Sequence, residues 1–160
     1  MNNHPLFAAV LAALVAAAPL PAAAVDDPAL LAALTCGAGD AAALEAKGRK
    51  TGDGTLAFPD QVRDGGLCIE NATVSAGFGV MMTAASLCDG RAEPLLAYLS
   101  RANPQLRPAS APSRPGVIGV YEAGKTSFII FHGQPDIRRG PDPSSGTVSY
   151  ICSVQGSGPQ

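Results

Sequence analysis

The sequence predicts an α+β domain, an antiparallel sheet of about five strands with two or three short helices packed on it and two disulfides as staples. Three observations lead there. Residues 66–90, GLCIENATVSAGFGVMMTAASLCDG, hold two of the four cysteines around a Gly-rich bend and read as a β-hairpin. Two later stretches, 117–132 and 147–154, are rich in β-branched and aromatic residues. Between and before these lie short Ala/Leu runs bounded by helix caps and stops. A mostly-β barrel or sandwich with decorating helices accounts for the same strands and stays open as the alternative.

The chain has 160 residues, a formal charge of −2 and no Trp. Residues 1–24 read as a cleaved signal peptide, an apolar segment from Leu6 to Leu20 followed by Pro21-Ala22-Ala23-Ala24, although its first residues carry no Lys or Arg. That apolar segment is shorter than the roughly 20 residues a spanning helix requires. Residues 25–154 are expected to form one domain and 155–160 a flexible tail, with no membrane insertion after cleavage.

Asp27 at an N-cap, Pro28 at the first helical position and the run Ala29 to Leu34 predict a helix that stops near Gly37. Asp40 caps a second, Ala41 to Lys47, closed by Gly48. Leu30, Leu34 and Leu44 are the expected buried contacts. Arg49 to Gly54 and Asp60 to Gly66 read as loops around a short strand, Thr55 to Phe58, cut off by Pro59. Within the first hairpin, simple alternation puts Cys68, Ala72 and Val74 on one side and Leu67, Ile69 and Thr73 on the other, while Phe78 to Ala85 is apolar on both. Arg91 to Ala102 is the best helix, with Leu95, Leu96, Leu99 and Ala102 on one face. Gln105 to Gly116 reads as an extended connector. A second hairpin, Val117 to Tyr121 and Thr126 to His132, precedes a last strand in which Val148, Tyr150, Cys152 and Val154 share a face.

An even number of cysteines in an exported chain implies disulfides. Their gaps of 32, 20 and 64 residues do not resemble the close pairs of cysteine zinc sites. Four cysteines allow three connectivities. A turn at Gly77 to Gly79 brings together residues whose numbers sum to about 156, which favours Cys68 with Cys88 and leaves Cys36 for Cys152. The other two connectivities stay open at this point.

Few motifs carry chemistry. Gly119 to Thr126 matches the phosphate-binding pattern GxxxxGK[ST], but strand-like residues follow where that motif requires a helix, and a hairpin turn explains Gly124 and Lys125. His132 is the sole histidine after the leader. A histidine-assisted nucleophile would have to pair it with Ser75, Ser86 or Ser127 and an acid such as Asp136, and no GxSxG elbow singles out any of these serines. The sequon Asn71-Ala72-Thr73 falls inside a predicted strand. No catalytic residue, cofactor or metal is assigned.

Charge is unevenly spread. From Asp26 to Asp89 nine acids face four bases, whereas from Arg91 onward seven bases face four acids. Arg101, Arg107, Arg114, Arg138 and Arg139 form a candidate patch for an acidic protein partner. An acidic isoelectric point near 5.6 argues against nucleic acid. The reading that follows is a periplasmic or secreted non-enzymatic protein acting through protein–protein contacts, as an inhibitor, an immunity-like factor or an envelope accessory. The alternatives are a small secreted hydrolase and a binder of small apolar ligands lined by Phe78, Met81 and Met82.

Overall fold

A computed structural model describes residues 24–37, 41–58, 60–110, 114–136 and 138–156. The expected leader, except its last residue, the Asp40 cap, Pro59 and the end of the tail lie outside these residues. The elements are β1 (Val25–Asp26), α1 (Pro28–Leu34), α2 (Ala41–Lys47), β2 (Arg49–Lys50), β3 (Leu56–Phe58), β4 (Val62–Asp64), β5 (Leu67–Gly77), β6 (Val80–Leu87), α3 (Glu93–Ala102), β7 (Arg107–Pro108), β8 (Val117–Ala123), β9 (Thr126–His132) and β10 (Val148–Gln155). Strands and helices coexist as the α+β class requires, but the sheet has ten strands rather than about five, and it is mixed. Its order is β1-β4-β5-β6-β10-β9-β8-β7, with β3 also paired to β5 and β2 to β3. Among the described residues the one parallel pair joins β1 to β4, Val25 opposite Val62.

The extra strands fall on segments expected to be loops. Arg49–Lys50, Val62–Asp64 and Arg107–Pro108 are two or three residues long, too short to display a period of two, and pairing with longer neighbours places them in the sheet.

The long central strands hold the core. Leu30, Leu31 and Leu34 of α1, Leu44 of α2, and Leu95 and Leu99 of α3 pack with Ile69, Val74, Leu87, Phe128, Ile130, Val148 and Tyr150 of the sheet. Asp27 caps α1 by accepting from the Leu30 N–H at 2.9 Å, and Lys47 donates to the same carboxylate. These bonds, the Lys47 contact first, hold the Asp27 carboxyl below the usual carboxylate range. The other end of α1 is tied to β10. The Tyr150 hydroxyl donates to the Leu34 carbonyl at 3.0 Å, and Cys36 is bonded to Cys152. Burial pushes the Tyr150 phenol well above its ordinary range. On α3, Leu95 and Leu99 are buried, but Ala102, expected on the same face, is exposed.

β6 is covered on both faces toward its end, as its unbroken apolar run implies: Thr83 through Leu87 are all buried. On the face away from the helices, Phe131, Ser149 and Ser86 line up across β9, β10 and β6. The Ser86 and Ser149 hydroxyls lie 3.1 Å apart, and Ser149 donates onward to the Gly133 carbonyl at 2.7 Å. The segment after β9 folds back beside this row, its Asp142 N–H donating to the His132 carbonyl at 2.7 Å.

Candidate functional site

The hairpin β5–β6 is built around a displaced residue. Near the turn the paired residues sum to 157, as in Gly77–Val80 and Thr73–Ala84, whereas toward the mouth they sum to 156, as in Glu70–Ser86 and Ile69–Leu87. A β-bulge between Glu70 and Thr73 absorbs the difference, and Asn71 occupies the left-handed region there, φ 53°. Asn tolerates that conformation better than most residues, which gives Asn71 a structural role independent of any sequon. Without the bulge Cys68 would face Asp89. With it, Cys68 faces Cys88, the Cys88 N–H donates to the Cys68 carbonyl at 3.1 Å, and the two sulfurs are bonded.

The bulge also corrects the expected faces. Leu67 and Ile69 lie on the core side together with Ala72 and Val74, a step of three residues between Ile69 and Ala72 replacing the step of two. Cys68 is thereby left half-buried on the outer side.

The mouth of this hairpin opens into a cleft of about 470 Å³ lined by Asp26, Arg63, Asp64, Asp89 and the disulfide Cys68–Cys88. The Arg63 Nε donates to Cys68 Sγ at 3.3 Å, and its Nη2 donates to Gln61 Oε1 at 3.2 Å. Asp89 is held by Arg91 at 3.1 Å. An adjoining hollow, bordered by Asp64, Tyr98 and Arg101, continues from the same corner. Burial and the Asp64 charge raise the Tyr98 phenol above its ordinary value, against the pull of a hydrogen bond with Thr35 and of the Arg101 charge.

At the opposite end of the hairpin the turn residues are Phe78 and Gly79, both with positive φ, 52° and 73°. These are the signs of a type I′ turn, which usually carries Asn-Gly or Asp-Gly. Phe78 is fully exposed, 109% of its reference area. The expectation that Phe78 lines an apolar pocket with Met81 and Met82 is therefore overturned: the turn projects it into solvent. Met81 packs against the core cluster, while Met82, adjacent on the same strand, points to the other face, so the three do not enclose one cavity. Neighbouring backbone braces the tip. The Gly156 N–H donates to the Gly79 carbonyl at 2.8 Å, and the Gln155 N–H to the carbonyl of Lys125 in the turn of β8–β9 at 3.2 Å.

The five arginines are not brought together. Arg107 sits opposite Glu122, its guanidinium 4.0 Å from that carboxylate, at the turn end of β8. Arg114 precedes the other end of β8, about 20 Å along the strand, where its carbonyl accepts from Val117 N–H. Arg138 and Arg139 follow β9, Arg139 paired with Asp136 at 3.5 Å. Arg101 lies on α3 beside Asp64. The five do not share one end of the sheet: Arg107 lies at the turn end of β8, whereas Arg114 and the segment carrying Arg138 and Arg139 meet at the other end, where Gly116 lies against Pro141 and Pro143.

His132 ends β9, and its Nδ1 is buried with no hydrogen-bond partner among the described residues. Ser86 is bonded to Ser149, Ser127 to Ser153 at 2.8 Å near the far end of β9, and Ser75 is exposed on β5. The side chains needed for a histidine-assisted nucleophile do not converge. Among the described residues no group of three or more His, Cys, Asp or Glu is arranged to hold a metal ion. The stretch Gly119 to Thr126 spans β8, a turn with Gly124 at φ 61°, and the start of β9, so a strand stands where a phosphate-binding helix would begin.

Two disulfides fit an oxidising compartment, and among the described residues no helix is long and apolar enough to cross a membrane. No family model, curated protein or solved structure matches this chain.

The exposure of Phe78 is masked in the sequence because Phe in an apolar run reads as pocket lining even beside a turn at Gly77 to Gly79. Its signal was the two-residue spacing between Gly77 and Val80, which forces position 78 into the turn itself.

Proposed function

We propose that this chain is an exported, periplasmic or secreted, binding protein that acts by docking on another protein, in the manner of an inhibitor, an immunity-like factor or an envelope accessory, with the β5–β6 tip as its anchor. The observation that carries the reading is Phe78, an aromatic fully exposed at a left-handed position. A bulky side chain there costs about 1–2 kcal/mol relative to a residue suited to the conformation. Leaving the ring in water also forgoes roughly 1.5–3 kcal/mol of burial. The backbone cost falls if position 78 carries Asn, and the burial can be gained only in a contact made outside this chain, which best explains the ring. Aromatic residues that fill a partner's pocket are the commonest hot spots of protein interfaces.

The surroundings suit such an anchor. The tip is braced by β10 and by the neighbouring turn, so little order is lost on binding. Polar groups lie toward the same end of the sheet, including Lys125 and, in the β2–β3 turn, Asp53. The Thr51 hydroxyl and the Thr55 N–H hold the Asp53 carboxyl down to about 2. With the arginines dispersed, a pocketed protein with an apolar floor fits the tip better than a strongly acidic one.

The test is photo-crosslinking from position 78 in the native envelope, with the captured protein identified by mass, followed by measuring the affinity of Phe78→Asn for it. A discrete partner is expected at position 78 and absent at Ile129, which is exposed mid-strand. The substitution should weaken binding by about 2 kcal/mol, roughly 30-fold. Identical capture from both positions, or unchanged affinity in Phe78→Asn, would refute the anchor.

A further inference from the structure

The two disulfides occupy different chemical environments. Cys36 is 6% exposed and Cys152 fully buried, with the Leu34 and Tyr150 side chains in the same core cluster. Cys68 and Cys88 are half-buried and line the open cleft at the hairpin mouth. Among the described residues only this second pair has a cation on one of its sulfurs, Arg63 Nε at 3.3 Å from Cys68 Sγ. Gln61 steadies that guanidinium, and Arg63 is in none of the ion pairs found among the described residues.

We propose that Cys88 is a thiol-acceptor site, exchanging its bond to Cys68 for one to an external thiol small enough to enter the cleft. The external thiolate attacks Cys88 Sγ and forms a new S–S bond. The Cys68–Cys88 bond breaks, and its electron pair leaves on Cys68 as a thiolate beside the Arg63 guanidinium. The products are a mixed disulfide on Cys88 and one thiolate on Cys68, so the step is an exchange with no net oxidation. The direction follows from Arg63, since a sulfur whose thiolate is stabilised is the better leaving group. The reverse attack by Cys68 restores the starting bond.

Charge in the cleft selects the thiol. Asp26, Asp64 and Asp89 face it together with Arg63, and Arg91 engages Asp89. Three carboxylates against these two guanidinium groups disfavour an anionic thiol and favour a cationic or neutral one.

The experiment uses the full exported chain, incubated with cysteamine or with the anionic 3-mercaptopropionate, quenched with iodoacetamide and mapped by peptide mass. Cysteamine should appear on Cys88 with carbamidomethyl on Cys68, while Cys36–Cys152 stays closed. Mercaptopropionate should react more slowly at pH-matched thiolate concentration. Arg63→Met should slow the exchange about 3- to 10-fold, and Arg63→Lys should restore part of it. Initial adducts on Cys68, adducts on Cys36 or Cys152 at the same rate, or an unchanged rate in a folded Arg63→Met would overturn the proposal. If Arg63→Met fails to fold, the adduct position and the contrast between the two disulfides in the unsubstituted chain still decide it.

Discussion

The sheet contains two hairpins, β5–β6 and β8–β9, that flank β10 on either side and solve the same geometric problem differently. Both close with a two-residue turn and both lose one residue of register toward the mouth. In the first the shift lies between Glu70 and Thr73; in the second it lies between Val117 and Gly119, where the pair sum drops from 249 to 248. The closures diverge. The first is locked covalently by Cys68–Cys88, the second by packing: the His132 N–H donates to the Gly116 carbonyl at 2.7 Å, and Gly116 lies against Pro141 and Pro143. The turns diverge too, since Gly124 supplies the positive φ of its turn without strain while Phe78 adopts it at a cost. Bulge and turn length are thus demands of the sheet, whereas the half-buried disulfide and the exposed ring belong to the first hairpin alone.

The largest test of that comparison removes what both hairpins share. Cys36–Cys152 joins residues 116 apart and anchors β10, the strand between them, to the end of α1. Replacing both cysteines with alanine should cost about 4–5 kcal/mol in the chain-entropy model and loosen both hairpins together. The Cys68–Cys88 bond closes a loop of only 20 residues, and replacing both cysteines should cost about 3 kcal/mol. Amide exchange should then rise in β5 and β6 with little change in β8 and β9. Equal loosening of both hairpins in the second variant would show that they do not fold as separately closed units.

Much of this architecture is legible in the sequence, and the parts that are not share a cause. Asp27-Pro28 announced α1 because a cap and a Pro at the first helical position act locally, within one turn. The face of β10 was readable because Val148, Tyr150, Cys152 and Val154 keep an unbroken period of two. Alternation failed in β5 because one residue, Asn71, leaves the strand conformation and inverts every side chain beyond it. The cysteine pairing survived that error, since the pair sum of 156 is set by the bulge and not by the turn. The short strands β1, β2 and β7 escaped notice because two residues carry no periodicity, and β1 joins the sheet through a parallel partner 37 positions away. The candidate site was least legible. The arginines share the second half of the sequence, yet Arg107 lies at the opposite end of β8 from Arg114, and the one strained aromatic stands in an apolar run that reads as pocket lining.

The second hairpin's packed closure can be broken without touching the first. Gly116 has φ 82°, and a Cβ there would lie 3.0 Å from Pro141 Cβ and 3.1 Å from Pro143 N. Gly116→Ala should cost about 1–3 kcal/mol, because both the left-handed backbone and the close approach oppose it. Exchange of the His132 amide should accelerate first. Chemical denaturation with residue-resolved exchange separates this from a general loss of stability. In the first hairpin the equivalent lever is the bulge. Asn71→Val should cost about 1–2 kcal/mol by forcing a β-branched residue to positive φ, while Asn71→Gly should be nearly neutral. If both substitutions cost the same, the Asn71 side chain rather than its backbone conformation sustains the bulge.

The smallest expected effect has the opposite sign and bears most directly on function. Phe78→Asn places the preferred Asn-Gly pair in the turn of β5–β6 and removes a bulky residue from the left-handed region. The folded chain should gain about 0.5–1 kcal/mol, read as a higher denaturant midpoint with an unchanged slope. Lys125→Asn, at the second turn, should leave stability nearly unchanged, because Gly124 already meets the conformational demand there. A stabilised Phe78→Asn that also loses its partner would show a site held against the stability of its own fold, which a merely tolerated surface residue would not produce. A destabilised Phe78→Asn would mean that the ring makes contacts within this chain, and the case for the tip as an anchor would fall with it.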